Sequence, residues 1–185
     1  LDKVKSRFIL IRCAKLVKIA DKIKKLPLGR DAKDAMCGLC AVSAIIYRPE
    51  SGFPCVADIR VCRASISRAI RGDNHKMRSI DILFTVILRG HRSDPIQVLA
   101  YDVFLTMKRI LQKDESLCSL FSEVWNMRQN DPGNSATGPV QIMTELAAQW
   151  GWIWSHPFTF QRPLEGKLNL IHQPKSWFLH EVRHA

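Results

Sequence analysis

Apolar residues recur every three or four positions along the first part of the chain, and this spacing constrains the fold more than any other feature. In the N-terminal segment the apolar stripe consists of Ile9, Cys13, Leu16, Ala20 and Ile23. Residues with this spacing share one face of an α-helix and need a neighbouring element to cover them. The sequence therefore predicts a long helix that ends at Pro27 and Gly29 and packs within a helical bundle.

The same periodicity, together with capping residues, predicts further helices as far as residue 129. They cover about 31–47, 56–71, 80–89, 95–111 and 113–129. Ser79 and either Ser93 or Asp94 stand where N-caps are expected, and Gly72 stands where the 56–71 helix should stop. The 31–47 helix is almost wholly apolar after Asp34, so we expect it to be the most buried element.

Composition and period both change across residues 129–139, QNDPGNSATGP, a cluster of loop-forming residue types. Beyond it, aromatic residues fall at 150, 152, 154, 158 and 160, as on alternate positions of an extended chain. We expect a helix at about 139–150, a β-hairpin with its turn at 164–166, and a closing helix from about Lys175. The predicted fold class is mainly α. A basic helical bundle spans 1–128, a linker 129–139, and a Trp-rich helix, hairpin and helix unit 140–185.

The length and hydropathy of the apolar segments indicate the setting in which the chain works. The longest uncharged run, residues 35–47, has 13 residues, which is too short to cross a bilayer, so no membrane partner is expected. No signal peptide is recognisable, which favours an intracellular location, cytoplasmic or nuclear, and six cysteines that remain thiols. Leu1 at the start and a helical pattern without a stop signal at Ala185 indicate a piece of a longer polypeptide.

Positive charge is concentrated at the N-terminal end of the chain. The net charge is +11, and residues 1–30 contain ten Lys and Arg but only two Asp. Such a field favours a nucleic acid as partner, although a solvated lysine face or an acidic protein partner remains an alternative. The candidate phosphate-binding residues are first the lysines opposite the apolar stripe, Lys15, Lys18, Lys22 and Lys25, and second the arginines Arg60, Arg63, Arg68 and Arg71.

The C-terminal letters HEVRH match H-E-x-x-H, a zinc-binding helix pattern of metalloproteases. His180 and His184 would share a metal ion on one helical face, and Glu181 would act as the base. A catalytic zinc needs a third protein ligand, which usually follows the motif, and only Ala185 follows here. We therefore expect a solvated helix end and no bound metal, with a truncated zinc peptidase as the remote alternative.

The cysteines and the glycine-rich segments lack the context that catalysis or cofactor binding needs. Cys37 and Cys40 form C-x-x-C, but within an apolar helix, and Cys55 and Cys62 are spaced C-x₆-C, unlike a zinc ribbon. No G-K-[ST] phosphate loop, G-x-S-x-G elbow or adjacent pair of aspartates is present. The sequence thus predicts no active site and no cofactor.

Several motifs occur in a familiar order. They are KIKKLPLGRDAK, AIIYRPE, VCRASISRAIRG, RSIDILFTVILRGHRSDP and GWIWSHPF. This order resembles the region after the palm in non-LTR (LINE-like) retrotransposon reverse transcriptases. The resemblance covers most of the chain, but the palm's paired aspartates are absent, and Arg48 follows Tyr47 where such proteins often have Gly.

The resemblance implies a thumb-like helical bundle followed by a connector, within a parent protein that is an RNA-directed DNA polymerase. It implies a grip on RNA or an RNA–DNA duplex and no catalysis by this segment itself. A polymerase thumb holds its substrate through the phosphate backbone, which positions the duplex without reading its sequence. The resemblance and the charge distribution therefore lead to the same expectation of a basic helical module that binds nucleic acid.

Overall fold

Helices make up most of the computed structural model, so the mainly α fold class is confirmed. The structure describes residues 2–46, 54, 56–72, 79–88, 92–130, 138–163 and 166–184, with the backbone alone described at 2–8, 56, 85, 179 and 181–184. The chain forms two compact units that divide between Leu99 and Ala100, and residues 182–184 group with the first unit. No helix of the described ranges is long and apolar enough to cross a membrane.

The first unit begins with the long helix α1 (Asp2–Lys24), whose buried face is the predicted stripe. Cys13, Leu16, Ala20 and Ile23 are buried, and Ile9 packs against the same core. A turn follows the helix before Pro27, as the stop signals predicted. Lys33 of the next helix donates to the Lys24 carbonyl oxygen at 2.9 Å, which satisfies an acceptor at the C-terminal end of α1.

The predicted 31–47 helix consists of α2 (Arg30–Met36), a π-helical segment (Cys37–Val42) and α3 (Ser43–Ile46). The expectation that it is the most buried element is wrong. None of the residues of α2 is buried, and the Leu39 side chain is 77% exposed. Only one side of this segment meets the core, through Cys37, Ala41, Val42 and Ile45. These four recur at helical spacing, and Met36 and Ile46 pack against the same core while half-buried, whereas Leu39 points away from it.

Two of the predicted N-caps start helices of the first unit. The Ser79 hydroxyl accepts a hydrogen bond from the Asp81 amide at 3.2 Å and begins α5 (Ile80–Ile82), which continues as π-helical turns at Leu83–Ile87. Asp94 accepts from the Ile96 amide at 3.2 Å and begins α6 (Pro95–Lys113). Each cap satisfies an amide that the first helical turn leaves without a partner.

The remaining helix of the first unit, α4 (Val56–Arg71), has the predicted bounds. Ile59, Ile66 and Ile70, which recur at helical spacing, are buried. Gly72 follows the helix with a φ of +81°, in the left-handed region that only glycine adopts without strain. Helix α1 packs extensively against α4, and this pairing forms much of the core of the unit.

The second unit contains the rest of α6 together with α7 (Glu115–Asn130), α8 (Pro139–Gln149) and all but the last three residues of α9 (Lys175–His184). A three-stranded antiparallel sheet lies between α8 and α9 in sequence and is formed by β1 (Ile153–His156), β2 (Thr159–Arg162) and β3 (Gly166–Asn169). The predicted hairpin is the β2–β3 pair, to which β1 adds a further strand. The predicted linker 129–139 lies mostly outside the described residues and stays a prediction.

The core of the second unit is built around Phe104 of α6, which is fully buried. Its ring contacts four others, those of Trp150, Trp152, Phe160 and Phe178. The sheet register aligns Trp154 with Phe160 and Phe160 with Leu168, so three buried side chains form a row across the strands. The alternating aromatic residues therefore form a core.

Candidate nucleic-acid interface

The four candidate lysines lie together on the exposed side of α1. Lys15, Lys18 and Lys22 belong to the helix, and Lys25 follows in a turn whose amide donates to the Lys22 carbonyl oxygen at 3.1 Å. All four residues are exposed and lie opposite the buried stripe. At a rise of about 1.5 Å per residue, the row spans roughly 15 Å along the helix axis. We call these four residues the lysine row.

Within the described residues the lysine row has four positive charges and a single acidic residue within its stretch of sequence, Asp21. Neither a hydrogen bond nor an ion pair joins any of its ammonium groups to another described side chain. Asp31 is paired with Arg30 at 3.6 Å, and two other carboxylates of the unit are paired with Arg63. The lysine row is therefore a local excess of positive charge on one side of a helix, and such an excess favours contact with phosphates.

The four candidate arginines of α4 fall in different environments. Arg60 is exposed, and Arg71 is half-buried and engaged in interactions of its own. Arg68 is exposed but folds back along its helix, where it donates to the Ala64 carbonyl oxygen at 3.4 Å and to the Ser65 hydroxyl at 3.3 Å. Of these three, Arg60 is the one that solvent, and hence a phosphate, reaches most directly.

Arg63 is held inside the first unit, where its guanidinium group bridges two carboxylates. Its terminal nitrogens lie 2.8 Å from Asp81 Oδ1 and 2.9 Å from Asp94 Oδ2, and its charge lies 5.2 Å from the centre of the Phe84 ring. Only 18% of the side chain is exposed. Since both of its terminal nitrogens already have carboxylate partners, we leave Arg63 out of the proposed interface and assign it a structural role.

Arg63, Asp81 and Asp94 form a cluster, the Arg63 cluster, which links the start of α5 to the start of α6. One of its carboxylates, that of Asp94, is buried, which disfavours its charged form. Asp94 is 1% exposed, and this burial raises its pKa to about 6. The neighbouring Arg63 charge and the hydrogen bond from the Ile96 amide oppose that rise. The sequence indicated the Asp94 cap but not the ion pair between Asp94 and Arg63. These two residues are 31 positions apart, and Arg63 lies among the residues of its helix that were expected to face solvent.

The zinc pattern is only partly covered by the described residues. His180 is exposed on α9, whereas the side chains of Glu181 and His184 lie outside the described set. Among the described side chains, no group of three or more His, Cys, Asp or Glu is arranged to hold a metal ion. The described cysteines, Cys13, Cys37, Cys40, Cys62 and Cys118, are free thiols, and Cys55 lies outside the described residues.

Trp152 and Trp154 are buried in the second unit, although an aromatic ring must be exposed to stack on a nucleic-acid base. Trp152 is 7% exposed and Trp154 is 8% exposed, and Trp154 donates from its indole nitrogen to the Pro157 carbonyl oxygen at 3.2 Å. Phe158 stacks on Phe121 with ring centres 5.7 Å apart. These rings stabilise the second unit, so the lysine row of the first unit is the strongest candidate for ligand contact.

Comparison with known proteins identifies no relative: no protein-family model, no curated protein and no solved structure matches the chain.

Proposed function

We propose that the chain is a non-catalytic segment that grips nucleic acid within a retroelement reverse transcriptase polyprotein. It holds RNA or an RNA–DNA duplex through phosphate contacts from Lys15, Lys18, Lys22 and Lys25. The observation that carries the proposal is the lysine row, four exposed cations on one side of α1 and its following turn that have no ion-pair partner among the described side chains. The polymerase context comes from the resemblance of the motif order, and the remainder of a longer polypeptide is then the natural neighbour of the segment.

The geometry of the lysine row suits a phosphate backbone. Duplex DNA carries one charge per about 3.4 Å of axis on each strand, so a 15 Å row of cations runs past about four phosphates of one strand. Its cations are point charges with three N–H donors each on flexible side chains, which neutralise phosphates without a fixed hydrogen-bonding geometry. Such contacts position a duplex and carry no sequence information.

The salt dependence of binding tests the proposal quantitatively. Each phosphate contact contributes about 0.9 to the slope of log K against log salt, so replacing all four lysines with Ala should flatten the slope by about 3.6. Between 50 and 200 mM salt, the affinity of the wild-type chain for a short RNA–DNA duplex should fall about 150-fold more than that of the variant.

A matched control removes the same amount of charge elsewhere. Arg109, Lys113, Lys167 and Lys175 are exposed residues of the second unit, so replacing them with Ala also removes four positive charges. This control variant should keep nearly the wild-type slope. Equal slopes for both variants would refute a specific role for the lysine row. Binding to polyglutamate but not to the duplex would favour the alternative of an acidic protein partner.

A further inference from the structure

Helix α7 meets the rest of the second unit along only one side. Phe121 is the one buried residue of the helix, and its ring centre lies 6.1 Å from that of Trp154 and 5.7 Å from that of Phe158. Trp125 follows one turn later, and its ring centre lies 6.4 Å from that of Trp154. The other residues of α7 are exposed or half-buried, so most of the helix surface faces solvent.

The solvent-facing surface of α7 has an apolar stripe with the spacing of a coiled-coil seam. We call this stripe the apolar seam, and its residues, which are 3, 4 and 3 positions apart, are Leu117, Leu120, Val124 and Met127. Leu120, Val124 and Met127 are 53%, 36% and 61% exposed, and Leu117 is half-buried. Successive residues of a helix are turned by about 100°, so the seam lies roughly a quarter of a turn from Phe121 and Trp125. It is therefore separate from the side of α7 that packs within the unit.

The residue types of the apolar seam suit a second copy of the same helix. Apolar residues with this spacing pack as knobs into the holes of another helix. Leu117 and Val124 occupy the a positions of two heptads, and Leu120 and Met127 occupy the d positions. A β-branched residue at a, combined with Leu at d, favours two parallel helices. In that arrangement each a and d residue faces its own counterpart, so the seam is self-complementary.

The charges beside the apolar seam also favour a parallel pair. Glu123 lies at g on one edge of the seam, and Arg128 lies at e on the other edge, five positions later. Parallel pairing brings Glu123 of each copy towards Arg128 of the other, whereas antiparallel pairing would place two Glu123 carboxylates side by side. Arg128 also interacts within its own unit and keeps its positive charge on this edge.

The net charge of the chain does not oppose self-association at this helix. Residues 114–130 contain three acidic residues and one basic residue, although the whole chain has a net charge of +11. Two copies can therefore approach through α7 without bringing the basic surface of α1 into the contact.

We propose that the chain forms a homodimer through the apolar seam, with two copies of α7 packed in parallel. The helix is about 24 Å long, and the seam spans about 15 Å of it. A contact of this length is at the low end of the size range of specific interfaces, so the dimer is transient, with a Kd of about 10–100 µM. The interface excludes the lysine row and does not depend on the proposed nucleic-acid binding.

Sedimentation equilibrium of the full chain without nucleic acid tests the proposal. The chain should be monomeric at low micromolar concentration and become increasingly dimeric as the concentration rises about a hundredfold. Val124→Glu places a charge in the middle of the seam and should raise the Kd at least tenfold. The matched control is Val86→Glu, the same change at a residue of the first unit that is 71% exposed, and it should leave the Kd unchanged.

Pairs of charged variants test which residues face each other. Met127→Glu and Met127→Lys should each weaken the dimer, and an equimolar mixture of the two should restore it, because residue 127 faces its counterpart in a parallel pair. Mixing Met127→Glu with Leu120→Lys should not restore it. Circular dichroism and tryptophan fluorescence confirm that each variant is folded.

Three results would overturn the proposal. They are a wild-type chain that stays monomeric over the whole concentration range, an association that Val124→Glu leaves unchanged, and restoration by Leu120→Lys in place of Met127→Lys. The wild-type measurement decides the question by itself if a variant fails to fold.

Discussion

Replacing Asp94 with Asn should change how the stability of the first unit depends on pH. Burial raises the pKa of Asp94 from 3.8 to about 6, so between these values the folded state binds a proton that the unfolded state releases. The resulting stabilisation is complete below about pH 4 and is lost as the pH rises through 6. A shift of about two units corresponds to about 3 kcal/mol, of which about 2 kcal/mol falls between pH 4 and 7.

The Asn side chain keeps an oxygen that can accept from the Ile96 amide, but it cannot titrate. The free energy of unfolding of Asp94→Asn relative to wild type should therefore increase by about 2 kcal/mol from pH 4 to pH 7. Urea denaturation followed by helical circular dichroism measures this difference. Tryptophan fluorescence reports only on the second unit, since all five tryptophans lie between residues 125 and 177.

Asp114 provides a control of the opposite sign. It is fully exposed, and hydrogen bonds from the Ser116 hydroxyl and amide lower its pKa, so its contribution is lost as the pH falls. Asp114→Asn should therefore lose relative stability towards neutral pH, where Asp94→Asn gains it. An Asp94→Asn difference that is constant from pH 4 to 7, or an Asp94 carboxyl that titrates below pH 4 by NMR, would refute the reasoning.

Two further predictions concern packing. Phe104→Ala should lower the free energy of unfolding of the second unit by about 3–5 kcal/mol, since its buried ring contacts four other aromatic rings. Ile153 is 62% exposed, so Ile153→Ala should have little effect. Urea denaturation followed by tryptophan fluorescence measures both changes. Gly38→Ala should destabilise the first unit by about 1–3 kcal/mol in thermal unfolding followed by circular dichroism, because the alanine Cβ would lie 2.7 Å from the Arg92 carbonyl oxygen. This loss is opposite to the usual preference of a helix for Ala over Gly. Gly29→Ala has open space around it and is the matched control, with an expected change below about 1 kcal/mol; equal losses at both glycines would show that the Arg92 contact is not the cause.

Local patterns predicted the parts of the fold that depend on neighbours in sequence. The α1 stripe, the bounds of α4 and the caps at Ser79 and Asp94 follow from helical period and from amides that the first turn leaves unsatisfied. The same rules placed the lysine row on the solvent side of α1. These features need no knowledge of the tertiary partner, because the helix itself determines which side chains share a face.

Features that depend on residues far apart in the sequence were not predicted from local patterns. Arg63 has the spacing of an outward residue, yet Asp81 and Asp94 pair with it from 18 and 31 positions away. Leu39 is apolar, as most core residues are, but its position on the π-helical segment directs its side chain towards solvent. In each case tertiary packing decides the outcome, and the one-dimensional pattern carries no signal for it.

The most direct test of the central claim is a map of lysine reactivity with and without nucleic acid. The chain is treated with a lysine-acylating reagent, alone and in the presence of an excess of RNA–DNA duplex at low salt, and each lysine is quantified by mass spectrometry. The proposal predicts that the duplex protects Lys15, Lys18, Lys22 and Lys25, while the exposed lysines of the second unit, Lys113, Lys167 and Lys175, react as before. Unchanged reactivity across the lysine row, or protection confined to the second unit, would contradict it.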